Sequence, residues 1–385
     1  MNIKGPLHGL VVLEFSQYLS GPSAGLRLAD LGARAIKIER PNGGDACRQL
    51  AIKNLWVDES SLLFHTINRN KESFAADLKK KEDLELVKRL IEKADVMTHN
   101  FRPGVMDKFH LDYESVKKIN QKMIYAEITG YGKEGPWKDK PGQDLLAQSL
   151  SGLTFTTGNG NSNPVPFGLA IADMICGAHL VQGILAALIR CQKTGKGAHV
   201  EVSLMESLLD FQFEFLTTYF ASGCLPERSH VSNGHSLLSA PYGIYKTANG
   251  YIALAMIPMI KLRSALQCEL LSQYSEAEAF SKRDEIKNII THFLKEHTTE
   301  YWLEKLIKMD LWAMPVMSWG DLTEHEAYRI LNMEQTVVTG NGKKLKTTRC
   351  PIRFNERILT SEIGAPKIGE HNKMILQELK NNKIS

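Results

Sequence analysis

Leu10-Val11-Val12-Leu13-Glu14-Phe15 is an apolar run interrupted only by Glu14, the pattern of a strand buried on both faces. Ser20-Gly21-Pro22 supplies a cap and an early-turn proline for a helix from Ser23 to Leu31, which Gly32-Ala33 ends. Ala35-Ile36-Lys37-Ile38-Glu39 is the next strand, so the first unit reads β-α-β, with a parallel sheet and a right-handed crossover. The pattern repeats as helix 82–94, strand 95–98, loop 100–104, a short helix 113–120 and strand 123–128. These elements predict an α/β fold with a doubly wound, Rossmann-like sheet. Gly130 to Gly142, rich in Gly, Pro and Lys, is a surface connection. An apolar helix follows Asp173, its stretch His179 to Leu188 apolar almost all round and so expected in the core. Gly195-Lys196-Gly197 then turns the chain into a strand 199–204 and a helix 206–219. From about Ala221 the period changes. Two short strands, 242–247 and 251–255, flank the hairpin signal Asn249-Gly250, and helices 283–296 and 299–309 and a strand 313–317 complete a smaller α+β module. The chain is expected to divide into a large domain 1–220, a small domain 221–330 and a segment 331–385 that returns to the large one and ends in a helix 372–379.

Composition narrows the class without naming a chemistry. In 385 residues, 43% hydrophobic and 23% charged are ordinary values for a soluble globular protein of this size. The net charge of +4 is small, and no basic patch interleaved with aromatics points to nucleic acid. Six scattered cysteines with no C-x-x-C pair read as free thiols rather than a disulfide or zinc framework. No signal peptide is read at the start, and no apolar run is read as reaching the ~18 residues that span a bilayer. The expected setting is cytoplasmic, with neither membrane nor nucleic acid as partner.

The familiar catalytic signatures are missing: no G-x-G-x-x-G, no G-x-x-x-x-G-K-[ST], no G-x-S-x-G and no H-E-x-x-H. The histidine spacing offers no metal site, and none is expected. Two features remain. Asp173 stands where an extended segment becomes a helix, among small residues that let a bulky ligand approach. Such an Asp is either a helix cap or a reactive carboxylate. Arg40, Lys79 and Arg102, each past the end of an element, could converge on a polyphosphate, or could be unrelated exposed cations.

The ordered set of matching pieces decides between these. Gly9 to Phe15, Gly21-Pro22, Leu31 to Arg40, Gly44-Asp45, Asn70 to Ser73, Asn100 to Gly104, Gly142 to Gln148, Ala172-Asp173, Thr194 to Gly197 and Gly369-Glu370-His371 run from about residue 5 to 380. In this the chain resembles a class III CoA-transferase, the family that includes formyl-CoA:oxalate and carnitine CoA-transferases. The resemblance implies an interlocked homodimer of two mutually threaded chains. It implies that Asp173 is the nucleophile, attacking an acyl-CoA thioester to form a mixed anhydride and then an aspartyl-CoA thioester. It implies an acyl-CoA and a small carboxylic acid as substrates, oxalate among them, with CoA as substrate and no tightly bound cofactor. Gln17 and Asp144 are implied near the reacting groups, and Gly234, in Ser232-Asn233-Gly234-His235-Ser236, stands in the loop that covers the intermediate. That segment holds one glycine where the family has a run. CoA contacts are implied for Leu19, Arg40, Ala76, Asp77, Leu78, Lys79, Asn100, Phe101, Arg102, Lys108 and Lys140. Lys108 keeps the charge but not the bidentate fork of an Arg. Two other readings are weighed: a racemase of the same superfamily, and a CoA-binding protein without catalysis. The racemase needs a His where this chain has Gln143, which cannot exchange a proton near neutral pH, and the intact Asp173 argues against the idle binder.

Overall fold

The computed structural model describes residues 5–384. The chain forms two compact units, one of Met1–Ala147, Ala170–Phe211 and Asn332–Ser385, the other of Gln148–Leu169 and Gln212–Leu331. The cuts differ from the expected segments: 148–169 groups with the smaller unit, whose second stretch begins at Gln212.

The larger unit is built on six parallel strands: β1 (Val11–Glu14), β2 (Arg34–Glu39), β3 (Glu72–Ala75), β4 (Val96–His99), β5 (Ile124–Thr129) and β6 (Ala198–Ser203). Their order is β3-β2-β1-β4-β5-β6, so the winding reverses between β1 and β4. In an open α/β sheet that reversal leaves a crevice at the carboxyl ends of the strands where ligands bind. Within this sheet, β3 is the strand the hydrophobic pattern did not reveal. It is four residues long and lies at the sheet edge, and its polar Ser73 is buried because its hydroxyl donates to Glu39 at 2.6 Å.

One sheet face carries α3 (Lys81–Ile91), α4 (Tyr113–Ile119) and the C-terminal α12 (Asn372–Lys380). Val11, Leu13, Ile36, Ile38 and Phe74 pack there against Val87, Leu90, Val116 and Ile375. The alternate residues of β1 and β2 face the other way and include Glu14, Lys37 and Glu39, all buried. On that side lie α1 (Ser20–Asp30), α2 (Leu62–Asn68) and α6 (Ile171–Thr194). Two shorter helices, α5 (Asp144–Leu150) and α7 (Leu204–Phe211), precede and follow α6.

Helix α6 departs from expectation twice. It starts at Ile171 with Ala170 as its cap residue, so Asp173 is the third helical residue rather than the cap. It also runs for 24 residues, long and apolar enough by length and composition to cross a bilayer, which the sequence reading allowed to no run. It is not core all round. Ala172, Cys176, Gly177, Leu180, Val181, Ile184 and Ala187 are buried, while Met174 is 47% and Ile189 57% exposed. None of the six cysteines is paired.

The smaller unit has a three-stranded antiparallel sheet, β7 (Gly243–Lys246), β8 (Tyr251–Leu254) and β9 (Ala313–Pro315), in the order β9-β8-β7. Asn249-Gly250 makes the expected turn between β7 and β8. The expected helix 206–219 is two helices, because the backbone leaves helical geometry at Gln212 and α8 (Phe213–Ser222) begins after it. α9 (Met259–Leu266), α10 (Arg283–Leu294) and α11 (Thr299–Lys308) pack Leu262, Ile286, Ile290 and Trp302 against Tyr245 and Ile252. In the larger unit, a hairpin of β10 (Glu334–Val338) and β11 (Lys344–Thr348) lies in the returning C-terminal segment.

Candidate active site

Asp173 is placed by the close packing of α6 on α1. Gly177, one turn on, has no Cβ, and a methyl added there would lie 2.3 Å from Ser23 Oγ and 2.7 Å from the Ser20 carbonyl oxygen. Only glycine permits this approach. It brings the Asp173 carboxyl to the buried Ser20, whose hydroxyl hydrogen-bonds it. Asp144, at the start of α5 and also buried, accepts the Asp173 N–H on Oδ2 at 3.1 Å. That bond takes up one N–H of the first turn, which α6 itself leaves without an intrahelical partner. Burial, reinforced by the negative charge of Asp144, pushes the Asp173 carboxyl up to about 7, and the Ser20 bond only partly offsets this. A carboxylate of this basicity is a better nucleophile than an ordinary one and is still about half ionised at neutral pH. One turn away, Cys176 is no competitor. Burial and neighbouring charge push its thiol up to about 12, so it stays protonated.

A cavity opens at the carboxyl ends of β1, β2, β3 and β4, at the winding reversal. Gln17, Arg40, Ala76, Leu78 and Phe101 line it, with Phe15, Ile38 and Gly44. Five residues singled out in the sequence thus meet in one place. Asn100 lies at its edge and braces Gln17. The Nδ2 of Asn100 is also 3.5 Å from Ser20 Oγ, which links the cavity wall to the residue touching Asp173. Arg40 is exposed and reaches the Gly44 carbonyl at 3.3 Å, leaving most of its guanidinium donors to solvent or a ligand.

The other singled-out residues lie elsewhere. Leu19 precedes α1 and packs against Phe64, Ile67 and Ala365. Asp77 accepts the Lys79 N–H at 3.1 Å and shapes that turn, and Lys79 is exposed. Arg102 lines a separate cavity with Tyr113, Tyr125 and Glu127. Lys108, on a single turn of helix, and Lys140, in the 130–142 connection, are exposed. Gly234 belongs to the smaller unit, where a Cβ would lie 2.9 Å from the Tyr242 ring and 3.2 Å from Gly243.

Beneath the Gln17 loop is a charged cluster that the sequence reading passed over. Lys37 Nζ lies 2.9 Å from Glu14 and 2.8 Å from Asp45, and Lys71 Nζ lies 2.8 Å from Glu14, all four side chains being fully buried. Burial disfavours charge on Lys37, but Glu14 and Asp45 outweigh it and hold its pKa above the ordinary range. Burial brings Lys71 down to about 8 in spite of Glu14. A signal was present in the sequence: Glu14 and Lys37 sit inside strands otherwise apolar on both faces, where a charge must find a partner.

A second polar group lies at the far side of the sheet. Glu127, His199 and Glu201 offer ligand atoms within 4.8 Å of one another, close enough to hold a metal ion. The Lys133 ammonium is paired with both carboxylates, so a cation already serves them.

The sequence profile of CoA-transferase family III matches residues 7–372. The succinate–glutarate CoA-transferase of Agrobacterium fabrum is 32% identical, over 98% of this chain and 96% of that one. The acetyl-CoA:oxalate CoA-transferase of Acetobacter aceti is 30% identical, over 97% of this chain and 96% of that one. Among solved structures, a CAIB/BAIF family protein from Brucella suis superposes with a TM-score of 0.85 at 33% identity, covering 98% of this chain and all of that one.

Proposed function

The chain belongs to CoA-transferase family III and is an acyl-CoA:carboxylate CoA-transferase; we propose that Asp173 is its nucleophile and that small dicarboxylic acids are its acceptors. The observation that carries the first part is the Asp173 carboxyl itself, held at the start of α6 by Ser20 and Asp144 and titrating at about 7. Support for the second is that the relatives' names specify succinate, glutarate, oxalate and mesaconate, all dicarboxylates.

In this reading an Asp173 oxygen attacks the thioester carbonyl, the C–S bond breaks, and CoA leaves as thiolate with a mixed anhydride left behind. The thiolate then attacks the Asp173 acyl carbon, releasing the donor acid and forming an aspartyl-CoA thioester. The acceptor carboxylate attacks that thioester and frees the thiolate again. Its return to the acceptor's carbonyl gives the new acyl-CoA and restores Asp173. One thioester replaces another, so no energy source is needed, and the covalent route divides one hard step into easier ones. Arg40 and the backbone around Ala76–Leu78 and Phe101 hold the CoA, and Gln17 offers its carboxamide to the reacting carbonyl. Gly234 belongs to the segment that shields the anhydride from water. Leu19, Asp77, Lys79, Arg102, Lys108 and Lys140 contribute to CoA binding in the assembled enzyme.

That enzyme is an interlocked homodimer in a reducing, cytoplasmic setting, with neither a membrane nor nucleic acid as partner. Supporting the dimer, Met174, Ile189 and Phe211 leave large apolar side chains exposed on α6 and α7, a surface that a second chain would cover. Six unpaired thiols support the setting.

Incubation with succinyl-CoA, borohydride reduction and peptide mass spectrometry tests the nucleophile. An aspartyl-CoA thioester reduces to homoserine, a loss of about 14 mass units at Asp173, as covalent catalysis on that carboxyl requires. Acceptors are ranked alongside by following new acyl-CoA with glutarate, oxalate, mesaconate and acetate. We expect each dicarboxylate to exceed acetate at least roughly tenfold, the low end of the discrimination a pocket gains from a group the poorer substrate lacks. Absence of the adduct while transfer proceeds overturns the role of Asp173, and acetate as the best acceptor overturns the dicarboxylate class.

A further inference from the structure

All four backbone polar groups flanking Gln17 are taken by side chains. The Ser16 carbonyl accepts from Lys37 Nζ at 2.8 Å. The Gln17 N–H donates to Asn100 Oδ1 at 2.8 Å, and the Gln17 carbonyl accepts from Asn100 Nδ2 at 2.7 Å. The Tyr18 N–H donates to Asp45 Oδ1 at 3.1 Å. Both peptide planes adjoining Gln17 are therefore gripped at both ends, by residues from β2, from the loop after β2 and from the loop after β4.

In an exposed loop water satisfies such groups; here Ser16 is buried and Gln17 half-buried, and side chains take the place of water. Here the grips are also tied to one another. The Asp45 carboxylate divides its work: Oδ1 takes the Tyr18 and Cys47 N–H groups, and Oδ2 pairs with Lys37 at 2.8 Å. Lys37 is held in turn by Glu14. The segment is held in a demanding shape, since Tyr18 is a non-glycine residue at φ 64°. Such a residue persists where its surroundings impose it, and these sites cluster around function. What the grips present is the Gln17 side chain, at the wall of the CoA cavity.

We propose that Asp45 is a positioning residue for CoA transfer: by fixing the Tyr18 N–H and orienting Lys37 onto the Ser16 carbonyl, it holds the Gln17 carboxamide where the reacting thioester needs it. The proposal rests on the transferase reading above. Asp45 also lines the CoA cavity, but its side chain is fully buried, with Oδ1 on the Tyr18 and Cys47 N–H groups and Oδ2 on Lys37, so it acts through Gln17 and is not a residue that contacts the reacting atoms.

A double-mutant cycle tests it. Single-turnover transfer from succinyl-CoA is measured for wild type, Asp45→Asn, Gln17→Ala and the double variant, with CoA affinity by calorimetry and melting by circular dichroism. Asp45→Asn is expected to slow transfer roughly 10- to 100-fold, the cost of displacing a reacting group by a fraction of an ångström. CoA affinity is expected to change less than about threefold, and in the Gln17→Ala background the same substitution is expected to cost less than about threefold. Losses that multiply independently in the double variant, or that track the unfolded fraction, overturn the proposal. Should Asp45→Asn fail to fold, Asn100→Ala removes the two central grips, and its coupling to Gln17→Ala is read in the same way. Wild-type activity separates the two hypotheses: an inactive wild type overturns the transferase reading together with this one, and an active wild type with independent losses overturns this one alone.

Discussion

A carboxyl that titrates at about 7 in the folded chain must lose its proton before it can attack a thioester, so Asp173, as the proposed nucleophile, should tie rate and stability to pH in opposite senses. As nucleophile it should give kcat/KM a rising acid limb with a midpoint about 7, falling close to tenfold per pH unit below it. A profile flat down to pH 5 would show that the working carboxyl is ordinary. Stability runs the other way. The folded value lies above the ~3.9 of an unfolded Asp, so folding favours the protonated form. Stability from this group is complete below about pH 4 and is lost as pH rises through 7. Asp173→Asn, neutral at every pH, should therefore melt above wild type at pH 8, with the gap narrowing as pH falls below 7 and closing only near pH 4, while transfer falls by at least roughly 10³-fold. A variant that melts lower at pH 8 would mean that the carboxylate stabilises the fold, against the burial argued here.

What makes Asp173 unusual is a relation between two helices, and that relation rests on Gly177. In Gly177→Ala the new methyl has no room between Ser23 Oγ and the Ser20 carbonyl, so α1 and α6 must separate. Overpacking of this kind costs about 1–3 kcal/mol. The separation also loosens the Ser20 bond to Asp173, so kcat should fall more than the melting temperature alone explains. Thermal melts and single-turnover rates on one preparation check this, and a variant with wild-type rate would place the Ser20 contact outside the chemistry. The same dependence explains which elements could be read in advance. β1, β2, β4 and β5 announce themselves as apolar runs because both their faces are covered. β3 does not, since Ser73, and Lys71 just before the strand, are buried through Glu39 of β2 and Glu14 of β1, both distant in sequence. Asp173 stands out at a loop-to-helix junction, but its pKa depends on Ser20 and Asp144, which no local pattern connects to it. Its proposed role comes from the family resemblance. The grip on Gln17 was not legible at all, because it needs three segments folded together.

For the whole molecule, the proposed threading of two chains has a physical consequence that ordinary dimerisation lacks. A dimer held by contacts alone dissociates when diluted below its Kd, and its mass depends on concentration. Two chains that pass through one another cannot part unless at least one unfolds, so exchange is limited by unfolding, whose half-life ranges from seconds to days for folded domains. The particle should then have about twice the 43.1 kDa chain mass by light scattering, and single-molecule mass photometry should still find the dimer at nanomolar concentration. Tagged and untagged preparations mixed in native buffer should form no hybrid within hours, and should form it readily after joint unfolding in urea and refolding. A hybrid appearing on mixing without denaturant would mean that the chains meet face to face and are not linked. The exposed apolar side chains of α6 and α7 would then be an ordinary interface, and substituting Ile189, 57% exposed in the single chain, with Lys should yield monomers. In linked chains the same substitution should lower the melting temperature and leave the mass unchanged, because topology holds the pair even where the contact is lost.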